Sequence, residues 1–199
     1  MIQLTALMVL IALAVIVLWV IVRYNALIRL RNQVENGWKQ IDVQLKRRHD
    51  LIPNLVNAVK GAMDFERDTL EAVIQARNQA VKIQAETLPT GGVKKLAAAE
   101  ATLGAALSRL NVVVERYPQL KATANIGQLQ EELTSTENRV AFARQLYNDT
   151  ATSYNVRQQQ FPWTLIAGMA KAEIVELWEI TDEQERAVPK VDLSSKPKA

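Results

Sequence analysis

Residues 30–59 read LRNQVENGWKQIDVQLKRRHDLIPNLVNAV, and their spacing decides what kind of molecule this is. Leu30, Val34, Trp38, Ile41, Leu45, Ile52, Leu55 and Val59 recur at steps of three and four, the period of a narrow apolar seam on an α-helix. Arg48 stands in the seam slot between Leu45 and Ile52. The phase passes through Pro53 without a slip, which leaves two readings. Either the helix is continuous and kinked at Pro53, or His49 and Asp50 make a tight turn, with Asp50 capping a new helix and Pro53 in its first turn. The kept phase and the lack of Gly or Asn at the turn favour the continuous helix.

N-terminal to this stretch, Ile2 to Val22 is an apolar run whose only polar members are Gln3 and Thr5, and no charged side chain appears before Arg23. Twenty-one residues at 1.5 Å each make roughly 31 Å, the thickness of the hydrocarbon core of a bilayer. A cleaved signal peptide would need a basic start, a shorter apolar core and small residues at the cleavage site. This chain opens Met-Ile-Gln and fills that place with Leu18, Trp19, Val20, Ile21 and Val22. Residues 1–23 are therefore expected to be a retained single-span anchor, with Trp19 and Tyr24 at the interface. Arg23, Arg29, Arg31 and Lys39 follow the span against a single acid, Glu35. The positive-inside rule then puts the rest of the chain in the cytoplasm, on the inner membrane.

The net charge of +3 is uneven: from Arg23 to Lys60 there are eight Lys and Arg against three acids. These membrane-proximal cations suit anionic headgroups, whose pull fades within a Debye length.

Towards the C-terminus, two loops are announced by composition, Leu88 to Gly92 and the stretch from Pro118 to Gly127. Between and after them the 3-4 spacing returns, at Val93, Leu96, Leu103, Leu107, Leu110, Val114 and Tyr117, then at Ile126, Leu129, Leu133, Val140, Ala143, Tyr147 and Tyr154. Glu100, Thr136 and Thr150 fill the gaps in these seams. The fold class is all-α: a transmembrane helix followed by a long-helix antiparallel bundle of four helices, residues 24–180. Phe161-Pro162-Trp163 breaks the last long helix, Thr164 to Val175 can form a short one, and residues 181–199 form a polar tail, disordered from Ser194 to Ala199. If the first helix runs through Pro53, the stripe Val34, Trp38, Ile41 and Leu45 outruns its neighbours. It is then expected to be covered by a second copy in a homo-oligomer.

The chemistry on offer is sparse. There is no cysteine, a single histidine, and no glycine-rich loop between a strand and a helix, so thiol catalysis, zinc-thiolate sites and phosphate loops are excluded and no cofactor or metal is implied. His49 reads as a solvated residue at a helix bend. Glu35 with Lys39 and Asp42 with Lys46 read as i,i+4 surface pairs. Lys46-Arg47-Arg48 is too small a basic cluster for nucleic acid. Arg48, in an apolar seam, needs a partner carboxylate, Glu137 or Glu100; Arg48 and Glu137 are expected to be buried. Asn138, Asn148 and Asn155 border the last seam and are expected to set its register.

Three blocks carry a family resemblance: YNALIRLRNQVENGWKQIDVQLKRRHDLIPNLVNAVKGAMDFERDTLEAVIQAR from Tyr24 to Arg77, ENRVAFARQLYNDTATSYN from Glu137 to Asn155, and PKVDL from Pro189 to Leu193. With the N-terminal span before them they resemble the LemA family of bacterial membrane proteins. Trp163-Thr164, Leu177-Trp178 and Leu193 depart from its usual wording. The resemblance implies a long-helix bundle on a membrane anchor, with one branch tied to organelle membranes of magnetic bacteria, and it implies no reaction. The expected job is that of a non-enzymatic, membrane-organising scaffold, working by self-association or by docking a protein partner. The alternative is a sensor or regulatory adaptor that binds a soluble protein or peptide.

Overall fold

The computed structural model describes residues 1–60, 67–117 and 124–179. Among them are five helices and no strand: α1 Ile2–Lys60, α2 Arg67–Glu86, α3 Val93–Arg116, α4 Ala124–Gln159 and α5 Trp163–Met169. The expected disordered tail from Ser194 to Ala199 lies outside the described residues.

α1 is continuous through Pro53. Proline has no N–H for the carbonyl four residues back, which is that of His49. That carbonyl is not left bare, because Arg77 of α2 donates its Nε to it at 3.2 Å. A proline inside a packed helix is tolerated when a neighbour supplies the missing donor.

Cross-helix contacts fix the directions. Gln84 of α2 donates to the Asp42 carboxylate at 2.7 Å while Arg77 reaches His49, so α2 runs antiparallel to α1. Glu137 of α4 lies opposite Arg48 and Tyr147 opposite Gly37, so α4 is antiparallel to α1 as well. The chain reverses between Lys60 and Arg67, not at Asp50. α4 begins at Ala124, inside the stretch expected as a loop up to Gly127.

The lengths correct the expectation for the stripe Val34, Trp38, Ile41 and Leu45. α2 and α3 have 20 and 24 residues and cover chiefly the far part of α1, their near ends reaching Asp42 through Gln84 and the core beside the stripe through Val93, Leu96 and Ala97. α4 has 36, roughly 54 Å at 1.5 Å each, enough to follow the whole of α1 beyond the apolar run. Val34, Ile41 and Leu45 are buried against Val140, Ala143 and Tyr147 of the same chain. Trp38 lies with its ring 5.5 Å from that of Tyr147. No second copy is needed to cover them. The close approach depends on Gly37, where a Cβ would stand 3.2 Å from the Tyr147 Cα.

The expected short helix from Thr164 to Val175 stops early. The Ala172 N–H bonds the Ala167 carbonyl at 3.0 Å and the Lys171 N–H the Gly168 carbonyl at 3.3 Å, the paired bonds of a Schellman ending. Lys171 takes the left-handed conformation, φ 47°, that glycine usually supplies there. From Ala172 to Glu179 the chain runs as a non-helical strap along α4.

Candidate functional site

Three features stack along the bundle. The deepest is an ionic layer in mid-bundle. α1 carries Arg48 and His49 side by side, about 100° apart on a helix, so both are buried only where helices surround α1 on more than one side. Glu100 of α3 meets both: Arg48 Nη1 donates to Oε2 at 3.2 Å and His49 Nε2 lies 2.7 Å from Oε1. A carboxylate paired with a guanidinium only accepts, so His49 Nε2 is the donor. Its Nδ1 is buried without a hydrogen-bond partner among the described residues. Arg48 Nη2 also reaches Glu137 at 3.5 Å, but that side chain is 65% exposed. The buried acid is Glu100, not the expected Glu137, because Glu137 approaches from the rim of α4. His49, read as solvated, is buried too. Its position off the seam concealed it, since one-helix periodicity cannot register a second packed face.

Towards the membrane side lies the strap. Asn155 Nδ2 donates to the Val175 carbonyl at 2.8 Å and its Oδ1 accepts the Val175 N–H at 3.0 Å. Asn148 repeats the pattern on Trp178, at 2.9 and 2.8 Å. Each primary amide, with a donor and an acceptor side by side, stands in for the edge of a β-strand. Seven residues are two helical turns, so the amides share one face of α4. Tyr147 Oη adds a bond of 2.6 Å to the Glu176 carbonyl. Burial pushes the Tyr147 phenol well above its ordinary range, and the nearby Glu176 carboxylate adds to this. The Glu176 side chain accepts the Lys94 N–H at 3.4 Å in the first turn of α3, where a carboxylate complements the helix dipole. Gly92, φ 94°, makes the turn into that helix. Asn138, grouped with the other two by sequence, is exposed.

Beside the strap, Arg31, Val34, Trp38, Tyr154, Lys171 and Val175 line part of a cleft of about 350 Å³, which Lys39 and the loop Leu88–Thr90 also border. Arg31 takes Glu35 at 3.6 Å, so Glu35 pairs one turn back and not with Lys39. Asp42 bonds Gln84 in place of the expected Lys46.

The third feature caps the membrane-proximal end. The guanidinium carbons of Arg23 and Arg157 stand 5.1 and 5.0 Å from the centroid of the Trp163 ring. Arg23 also stands 5.5 Å from the Trp19 ring. Such contacts hold cations over aromatic faces at a helix end. Arg29 is exposed.

Among the described residues no group of three or more His, Asp or Glu is placed to hold a metal ion. The described residues form a helical bundle on a helix long and apolar enough to span a bilayer. The LemA family model matches residues 37–193, and the chain belongs to that family. Similar proteins include magnetosome protein MamQ 2 of Paramagnetospirillum magneticum, 26% identical over 84% of this chain and 71% of that one. The MamQ of Magnetospirillum gryphiswaldense is 26% identical over 74% and 61%. Protein LemA of Metamycoplasma hominis is 27% identical over 87% and 74%.

Proposed function

We propose that this chain is a membrane-anchored, non-enzymatic scaffold that holds a rigid helical bundle against one face of the inner membrane. The observation that carries this reading is the continuity of α1. It runs from the apolar segment into the bundle without a linker, and Leu27, a few residues past Val22, is already buried against other parts of the bundle. A helix without a break transmits position and orientation, which a scaffold requires. The magnetosome relatives support a role at membranes. The scaffold works by docking a partner or by association between copies through exposed bundle surface, since the Val34–Leu45 stripe is occupied.

The mass of the full-length protein in detergent tests this. An assembly of many copies, or a stable complex with a second protein, supports it; a monomer that retains no partner in crosslinked membranes overturns it. The eight cations against three acids after the span support a cytoplasmic position for the bundle. Digestion of the domain by protease added to intact spheroplasts would reverse that placement.

The cleft beside the strap favours a second reading, a sensor or adaptor binding a soluble peptide or protein there. Crosslinking from Thr90, at the cleft rim, to a soluble partner would select it over the scaffold.

A further inference from the structure

The antiparallel register of α1 and α4 is constant: Glu137 lies opposite Arg48, and Tyr147 and Thr150 lie opposite Gly37. Carried to the end of α4, it brings Gln159 level with Ala26. The chain then turns through Phe161 and Pro162 into α5, whose Trp163 meets Arg23. Trp163 and Ile166 pack in one cluster with Leu27, against which Val20, Ala26 and Leu30 also lie. α5 therefore sits beside the stretch of α1 that straddles the end of the apolar run at Val22. In a bilayer whose hydrocarbon ends there, that level is the interfacial layer.

The composition of this segment fits the level. From Phe161 to Ala170 the chain reads FPWTLIAGMA, ten residues without a charge, between Arg157 and Lys171. Trp163 and Ile166 point into the bundle, while Phe161, Leu165 and Met169 are 82%, 65% and 66% exposed. Leu165 and Met169 are one turn apart and share a face. Single exposed apolar side chains are ordinary on a protein surface, but three large ones gathered on an uncharged segment ringed by cations are not. Aromatic and aliphatic side chains with arginine and lysine at their borders are the makeup of a segment lying in the headgroup region.

We propose that Phe161–Ala170 is a second membrane contact. Phe161, Leu165 and Met169 enter the leaflet from which α1 emerges, with Arg23, Arg157 and Lys171 facing its anionic phosphates. The inference rests on the membrane-anchored reading and adds to it. One span alone leaves the bundle free to tilt and rotate; a second contact beside it fixes which face of the bundle looks away from the membrane.

The chain has no cysteine, so single cysteines give unambiguous probes. The full-length protein is reconstituted in vesicles of phosphatidylethanolamine and phosphatidylglycerol, with an environment-sensitive fluorophore on Leu165→Cys, Met169→Cys, Phe142→Cys or Val15→Cys. Phe142 is an exposed reference on α4 and Val15 reports on the span. The expected result is a blue shift at 165 and 169, with loss of emission to lipids carrying a nitroxide near the headgroup. Position 142 shows neither, and position 15 is quenched by a nitroxide deep in the acyl chain. Positions 165 and 169 behaving like 142 while 15 is quenched would overturn the inference and leave the anchor standing. A blue shift at 165 and 169 without lipid quenching would overturn it in favour of a second copy or another protein on this face. Absence of quenching at 15 would remove the anchor and this inference together.

Discussion

The two halves of the bundle are held by different means. The half far from the membrane, from Ile52 to Val59 with Leu70 to Ala80, Ala99 to Val114 and Ile126, has a buried core of aliphatic side chains and alanines on four helices. The membrane-proximal half is built mainly on α1 and α4, with only the start of α3, through Val93, Leu96 and Ala97, entering its core. Its remaining wall is α5 and the strap, and its buried core holds Tyr147, Tyr154, Trp163 and Trp178. Where four helices meet, periodic apolar seams suffice. Where α1 and α4 run on past most of α2 and α3, flat aromatic rings and side-chain hydrogen bonds to an extended backbone close the gap. The layer of Arg48, His49 and Glu100 lies between the two cores.

The largest effect expected of a single substitution comes from disrupting that boundary layer. Glu100→Leu leaves a guanidinium and an imidazole buried without their carboxylate, and the expected loss is about 3–5 kcal/mol. Arg48→Leu refills the seam and costs less; Arg48→Ala costs more than Arg48→Leu because it leaves a gap. Chemical denaturation of the three variants checks the order. A Glu100→Leu protein as stable as the parent would show that water reaches the layer.

The double variant Asn148→Ala, Asn155→Ala separates the halves. Four hydrogen bonds to the strap disappear, an expected loss of about 2–6 kcal/mol at about 0.5–1.5 kcal/mol each. Hydrogen exchange should rise at Val175 and Trp178, while amides of Leu103 and Leu110 keep their relative protection. Equal loosening of both halves would mean that the cores do not act separately.

In the far half, Arg77→Leu bares the His49 carbonyl that Pro53 already leaves without its helix donor, an expected cost of about 1–3 kcal/mol. In a Pro53→Ala background the helix supplies the N–H itself, so the same change should cost distinctly less. Equal costs in the two backgrounds would detach Arg77 from the proline.

Tyr147→Phe removes the bond to the Glu176 carbonyl, about 1 kcal/mol at neutral pH. The folded-state pKa is raised above the ordinary 10.0. The phenol's contribution is therefore fully present below about pH 10 and is lost as pH rises further, because the unfolded chain ionises first. Melts across that range should fall more steeply for the parent than for the variant. The smallest effect is expected at Lys171, where glycine relieves a left-handed residue. Lys171→Gly should stabilise by about 0.5–1 kcal/mol, the conformational cost less the entropy of glycine.

What the sequence by itself determined is whatever repeats along one helix. The seams and Arg48's need for an acid follow from a one-dimensional period, which also favoured the passage of α1 through Pro53; the apolar run is a matter of composition, and the family resemblance rested on three blocks of wording. The tertiary structure alone decided which faces meet. The Val34–Leu45 stripe looked orphaned because local spacing does not say that α4 is long enough to follow α1. The choice of Glu100 over Glu137 and the burial of His49 were not legible because a helix packed on several sides has more than one buried stripe, and only the strongest shows as a seam. The close approach at Gly37 was likewise not read from the seam, because spacing along one helix does not say which backbone lies opposite. The strap was invisible for a further reason. Its conformation is set by amides on another helix some 20 to 30 residues away, and no pattern within residues 172–179 encodes them.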